Sequence, residues 1–372
     1  MLSTYALDSQ VIQTELCTGC GACQGLCPYW GTRRGRTICY YDCERSDGRC
    51  QRFCPRMPAD LTALQEKAFA GEQLLPELGP LRDIYMTRAA DPAIRARAQH
   101  GGTVTALMSL ALREGMIDAA LLSRARDTLD PAGVLAVSPE EVIECAGSSF
   151  QIPPTLALLN RALQENQYQK IGVVGTPCKT LATYKMRWDP LPENDNHAGN
   201  IALVLGLFCG WGLDWDGLET LTVSRAGGTS HADILPSSFH SMEFNRAGGG
   251  GDPISVDLDE VLPLVRPACR ACADMTAEFS DLSVGGARTG EGWETDREWN
   301  TVLVRSEKGA ALLELARRSG TLEFRSPPAG ALDKLKRASV GKKRTAVRTM
   351  QDRHGGLGYL EPESSALKQL LG

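Results

Sequence analysis

The chemistry available to this chain is first of all that of thiols. Thirteen cysteines stand among 372 residues, and they are unevenly placed, with eight between positions 17 and 54. The first four read Cys17-x2-Cys20-x2-Cys23-x3-Cys27, followed by Pro28. This is the run by which bacterial ferredoxins hold a [4Fe–4S] cluster. Three thiolates on one tight loop can each meet a different iron, and Gly19 and Gly21 are expected to let backbone amides approach the sulfurs. Zinc is the competing occupant, but it ordinarily takes two Cys-x2-Cys pairs across a longer spacer.

The second group, Cys39-x3-Cys43-x6-Cys50-x3-Cys54 before Pro55, keeps the closing Cys-x3-Cys-Pro element. It has a wider first gap and an inserted ERSDGR. In two-cluster ferredoxins the fourth cysteine of each run serves the other cluster. The expected sets are therefore Cys17, Cys20, Cys23 and Cys54, and Cys39, Cys43, Cys50 and Cys27. One cluster with a zinc ion or spare thiols is the alternative. Around them stand Arg33, Arg34, Arg36, Arg45, Arg49, Arg52 and Arg56. They read either as a solvated basic face or as charge that offsets the thiolates or greets an acidic partner.

Positioning these groups requires a scaffold. Leu61–Glu72 has a helical look and leads into PELGP at 76–80, a linker composition. HGGTVTALMSLALREG then opens on Gly101-Gly102 and continues as a helix with Val104, Leu107, Met108 and Ala111 on one face and Gly115 at its end. A diglycine before a helix N-terminus is a place for phosphate or simply a glycine turn. Strands are expected at 119–123, 170–174, 200–207, 281–284 and 301–305, with helices at 154–163 and 308–318. Such alternation implies an open α/β sheet. Cys178 and Cys209 fall at carboxyl ends of strands, the edge where these sheets bind ligands. With Cys269 and Cys272 they could hold a further cluster, or be buried small apolar residues. Cys145 is left over and reads as buried.

Other classes are set aside. A formal net charge of −5 argues against nucleic-acid binding. No apolar run reaches the roughly 18 residues of a membrane span; Ile201–Leu213 comes nearest. MLSTYALDSQ lacks the pattern of a signal peptide. A cytoplasmic protein is expected, in which structural disulfides are rare. His100, His197, His231, His240 and His354 form no metal motif. No GxSxG or P-loop occurs; residues 285–290 are a loose cousin of the dinucleotide fingerprint. Gly248–Gly251 reads as a turn, and Lys334 to Arg348 as a solvated basic helix or tail. No general acid or base stands out.

The strings HGGTVTALMSLALREGMIDAALLS, AGSSF, VGTPCKTLATYKM, LFCG, CRACADMTAEFSDLSVGGA and WNTVLVRSEKG resemble, in order, the beta subunits of coenzyme F420-reducing hydrogenase and formate dehydrogenase. The resemblance implies a ferredoxin-like 2[4Fe–4S] domain (residues 1–60), a linker (61–80), an α/β domain for FAD and a [4Fe–4S] cluster (81–325, in parts 81–160 and 165–325) and a basic tail (326–372). It implies a third cluster on Cys178, Cys209, Cys269 and Cys272. It also implies flavin contacts from Gly101, Gly102, Thr103, Thr105, Thr176, Lys179, Asp274, Thr276 and Glu278. Departures from the family pattern are Lys179 in place of a frequent Gln, AGSSF at 146–150 in place of AGSKY, and an insertion, ETDREW, before Asn300.

The function so implied is an oxidoreductase subunit that converts one-electron traffic through clusters into two-electron transfer between FAD and coenzyme F420 or NAD(P). Its partner would be a hydrogenase or formate dehydrogenase catalytic subunit, since no hydrogen- or formate-activating metal site is encoded. The alternatives are a ferredoxin-dependent reductase of the chlorophyll-pigment type and a flavin-free electron relay.

Overall fold

The computed structural model describes residues 3–124, 130–191, 196–230, 234–238, 243–246, 252–363, 367 and 369–370. The glycine run at 248–251, His231 and His240 lie outside them. The scaffold is one eight-stranded sheet: β1 (Asp83–Ala89), β2 (Ala119–Arg124), β3 (Ala132–Ala136), β4 (Ile171–Gly175), β5 (Ile201–Leu207), β6 (Leu282–Gly286), β7 (Asn300–Val304) and β8 (Leu322–Arg325). Their spatial order is β8-β1-β7-β6-β5-β4-β2-β3. The four inner strands β2, β4, β5 and β6 run parallel. β3 on one side and β7, β1 and β8 on the other are added antiparallel.

Side-chain alternation explains why the sheet is covered on both faces. Leu122, Val174 and Leu205 point to one face, where they meet Leu107 and Met108 of α1 (Thr103–Arg113) and Leu312 and Leu313 of α4 (Glu307–Arg318). Their neighbours Leu121, Val173 and Val204 point to the other. There they pack on Leu156 and Leu159 of α2 (Thr155–Gln164) and Leu181 and Met186 of α3 (Pro177–Trp188). Every residue of β4 is buried, as expected for a parallel strand covered on both sides. Each fully buried leucine contributes about 1.5–3 kcal/mol.

The expected α/β sheet is thus present, in mixed form. The stretch expected as a linker carries the helix Leu61–Ala68, capped by Asp60, and the hairpin Gln73–Leu75 with Gly79–Leu81. The basic stretch expected to be solvated is α5 (Ala331–His354). Leu335, Ser339, Lys343, Ala346 and Met350 form a buried stripe along it. Its apolar stripe packs on the N-terminal segment through Ala346 and Met350, in one cluster with Leu7, Val11, Cys23, Cys50 and Cys54.

Candidate cofactor site

The carboxyl ends of the parallel strands open into a cavity of about 470 Å³. Its floor is Ser123, Gly175, Leu207 and Gly286, and its walls include Gly102, Thr105, Gly147–Ile152, Thr176 and Lys179. Gly102 adopts φ +79° as it hands the chain into α1, so α1 begins at the cavity without a side-chain cap. Glycine is also required on β6. A Cβ on Gly285 would lie 2.1 Å from the Phe208 ring, and one on Gly286 would lie 2.5 Å from the His100 imidazole. The Gln151 amide nitrogen is buried without a hydrogen-bond partner, on a residue that lines the cavity. Burial pulls the Lys179 ammonium down to about 8, against the opposing influence of the Cys178, Cys20 and Cys209 thiols. An orphaned donor and a buried cation on residues that line a mostly apolar cavity are features that an anionic, hydrogen-bond-accepting group such as a flavin phosphate or ring carbonyl would satisfy.

Cys209 links this cavity to the thiols. It lines the cavity wall and lies within electrostatic reach of Cys178, Cys269 and Cys272. Burial pushes the Cys209 thiol up to about 12, with Lys342 opposing and the three thiols adding to the rise. Burial likewise raises Cys269, which accepts the Gly212 amide at 3.3 Å. At Cys272, burial is outweighed by Arg56 and Lys342, and the thiol falls below its ordinary value. Four thiols from three stretches of chain therefore lie within electrostatic reach of one another, one of them in the cavity wall.

The first N-terminal set converges as well. Cys17, Cys20, Cys23 and Cys54 line one small cavity with Thr18, Gly21 and Pro55. Cys20 is pushed up to about 12 by burial, and next by Cys178, so this set adjoins the one beside the sheet. For the second set, Cys39 lies within reach of Cys50, and Arg49 faces both Cys27 and Cys50. Among the described residues no three His, Cys, Asp or Glu side chains close on one point as the ligands of a single metal ion do. A [4Fe–4S] cube sets a wider spacing, because each thiolate meets a different iron.

Glycines in the first loop do more than expose amides. Gly19 and Gly21 have φ of +72° and +87°, and a Cβ on Gly21 would lie 2.7 Å from the Pro154 carbonyl oxygen. Gly21 lets the loop seat directly on the start of α2, and Gly19 lets it pass close to the Gly35 carbonyl and Arg266. Buried polar side chains fasten it there. Asn160 of α2 donates to the carbonyls of Ala22 (3.0 Å) and Gln24 (2.7 Å). Arg266 donates to those of Cys17 and Gly35, both at 3.0 Å. The Arg56 guanidinium donates to the Tyr359 hydroxyl (2.9 Å) and the Ala268 carbonyl (3.2 Å).

These contacts also resolve the arginine cluster. Arg34 pairs with Asp216 and Glu219, Arg36 with Asp214, and Arg52 with Asp189. These three hold the N-terminal segment to the α/β unit, while Arg33 and Arg45 are exposed. Sequence reasoning missed Asn160, Lys185, Arg266 and Lys342, whose partners lie over a hundred residues away and leave no local signal.

The residues expected to touch flavin divide. Gly102, Thr105, Thr176 and Lys179 line the cavity. Gly101 is packed under Arg88 and the Glu298 carbonyl, and the Thr103 hydroxyl bonds that of Thr87 at 2.8 Å. Asp274, Thr276 and Glu278 are not brought to this cavity. The Asp274 carboxylate accepts the amides of Thr276 and Glu278, both at 2.9 Å. The Thr276 hydroxyl accepts from Arg305 at 2.9 Å. Glu278 pairs with Lys343 at 2.6 Å, and with Asp274 it lines a separate cavity that also reaches Cys178 and Cys272. Cys145 lines the first cavity, half-buried. The insertion before Asn300 forms the short helix Trp293–Glu298, whose Glu298 pairs with Arg88 at 3.0 Å.

Comparison with known proteins gives this geometry its family. Residues 84–160 match the N-terminal model, and residues 168–329 the C-terminal model, of the coenzyme F420 hydrogenase/dehydrogenase beta subunit. The chain belongs to that family. It is 30% identical over 270 residues to the coenzyme F420 hydrogenase subunit beta of Methanococcus voltae, covering 71% of this chain and 92% of that protein. It is 27% identical over 286 residues to the coenzyme F420 hydrogenase subunit beta of Methanothermobacter thermautotrophicus, covering 74% and 96%. In structure it is similar to a chain of the F420-reducing [NiFe] hydrogenase complex from Methanosarcina barkeri. There the TM-score is 0.64 and the identity 26%, over 75% of this chain and 96% of that one. This beta-subunit family member is an oxidoreductase by kinship. Among its described residues no helix is long and apolar enough to cross a membrane.

Proposed function

We propose that this beta-subunit relative carries FAD in the cavity at the carboxyl edge of the sheet and three [4Fe–4S] clusters on twelve of its cysteines. In this reading it exchanges a hydride with coenzyme F420 or a nicotinamide, and passes single electrons to or from a hydrogenase or formate dehydrogenase catalytic subunit. The observation that carries the reading is the place of Cys209, at once a wall of the cavity and a member of the four-thiol set. From there the thiols continue to Cys20 and on toward Cys39 and Cys50, which makes a stepwise path from cavity to N-terminal segment.

A bound flavin supplies the exchange between paired and single electrons. The protein's own part is to bind and orient. Gly102 and the first turn of α1 suit a phosphate, Gln151 and Lys179 offer donors, and Thr105 and Thr176 line the same wall. Cys17, Cys20, Cys23 and Cys54 would hold one cluster, Cys27, Cys39, Cys43 and Cys50 a second, and Cys178, Cys209, Cys269 and Cys272 the third. Residues 1–60 would then be the ferredoxin-like unit of a cytoplasmic enzyme.

The test is anaerobic reduction by F420H2, NADH and NADPH in turn, with flavin and cluster absorption followed together. Bleaching of both by one of the three donors is expected. A flavin-free spectrum from protein prepared without oxygen would leave an electron relay in place of this reading. Co-purification of a catalytic subunit identifies the one-electron partner.

A further inference from the structure

Both family models end by residue 329, yet α5 begins at Ala331 and returns to the cofactor site. It is pinned along its length. Lys334 donates to the Thr289 carbonyl at 3.0 Å, Ser339 to the Glu77 carbonyl at 2.5 Å, and Lys343 pairs with Glu278 at 2.6 Å. Lys342 is held between these anchors. Its ammonium donates to the carbonyls of Cys209 (2.6 Å) and Gly210 (2.7 Å), and forms no ion pair with a carboxylate among the described residues.

A half-buried cation bound only to neutral acceptors gains little from them and still bears its desolvation cost. It is retained cheaply where a negative group lies next to it. Four thiolates around a cube supply such a group, and every electron added to the cube makes it more negative.

We infer that Lys342, delivered by a helix outside the family models, sets the reduction potential of the cluster on Cys178, Cys209, Cys269 and Cys272. The inference rests on the reading of those four thiols as cluster ligands. Lys342 is a positioning and charge-supplying residue; it touches the backbone of one ligand and takes no part in bond making. Its charge favours the reduced cube, so its loss favours the oxidised one.

The experiment uses the full chain, prepared anaerobically, with iron analysis and a potentiometric titration followed by electron paramagnetic resonance. Lys342→Gln, with iron unchanged, is expected to lower the reduced-to-oxidised ratio of one cluster about tenfold at the wild-type midpoint, a fall of about 59 mV for one electron. The other clusters keep their midpoints. Lys342→Arg, which preserves charge and donors, is expected to stay at the wild-type midpoint. An unmoved midpoint in Lys342→Gln overturns the inference, and so does an equal shift in both variants, which would assign Lys342 to packing alone. Should Lys342→Gln lose iron, Lys342→His supplies the same comparison within one protein. Its midpoint falls relative to wild type as the imidazole loses its proton, and a parallel pH dependence overturns the inference. Wild-type iron of about eight rather than about twelve per chain would instead remove the third cluster itself, which separates failure of the underlying reading from failure of this one.

Discussion

The Lys185 ammonium donates to the carbonyl oxygen of Cys54 at 2.7 Å. One helix, α3, thus presents Cys178 in its first turn and grips the last N-terminal cysteine from its final turn. Lys185 is buried, and burial lowers its pKa. Replacing it by Met leaves the Cys54 carbonyl without that donor at a cost of about 1–3 kcal/mol. Lys185→Met is expected to lower the thermal midpoint and speed proteolysis between residues 30 and 60. Unchanged cleavage there would deny the clamp.

Gly285 tests the cavity. A Cβ there meets Phe208 at its own Cβ, 2.6 Å away, as well as at the ring, so rotation of the ring alone gives no relief. Gly285→Ala should cost about 1–3 kcal/mol through overpacking and sharply reduce the FAD retained per chain. Retention of a full flavin complement would place the cofactor elsewhere.

Gln151 gives the opposite signature. Its amide nitrogen is buried without a partner, so an apolar replacement removes a destabilising group from the ligand-free protein. Gln151→Met is expected to raise flavin-free stability slightly while weakening FAD binding by about tenfold, or 1.4 kcal/mol. Stability and FAD titration together check it, and a parallel loss of both would make Gln151 purely structural.

The Glu278–Lys343 pair predicts a pH dependence. Burial raises the Glu278 pKa, and Lys343 opposes that rise. Lys343→Met leaves a buried carboxyl without its cation, at about 3–5 kcal/mol. A raised folded-state pKa gives a contribution that is full below the ordinary glutamate value and is lost as pH rises through the folded value. The variant's deficit is therefore expected to widen from mildly acidic to mildly alkaline buffer. Denaturant midpoints measured across that range check the sign.

Cys178→Ala is expected to remove about four of twelve irons and leave the N-terminal cluster signals in place. Iron analysis beside the resonance spectrum reads this directly, and twelve irons in the variant would strike Cys178 from the ligand set.

Local spacing made part of this legible in advance. β4 and β5 are short-range patterns, and each is found within a residue of its expected bounds. β1 escaped notice because Asp83–Ala89 mixes exposed and buried positions beside an antiparallel edge. Arg305 escaped because a charged residue at a strand end reads as surface. It is in fact wholly buried, donating to the carbonyls of Leu78 (2.7 Å) and Pro80 (2.5 Å). The same holds for Lys342 and Asn160, whose meaning lies in segments the chain brings together only on folding. Asp274 and Glu278 stand close to Cys272 in sequence, and Cys272 itself lines the second cavity with them and not the first.

The dispersal of Cys178, Cys209, Cys269 and Cys272 over three stretches of chain has a consequence for biogenesis. The loop bearing Cys17, Cys20 and Cys23 emerges early from the ribosome, and Cys54 of the same set follows within forty residues. The four-thiol set exists only after β4, β5 and the turn before β6 have come together, and α5 then closes over it. If that set holds a cluster as proposed, metal delivery to it would follow sheet assembly, and a chain stalled before α5 would present the four thiols uncovered to solvent.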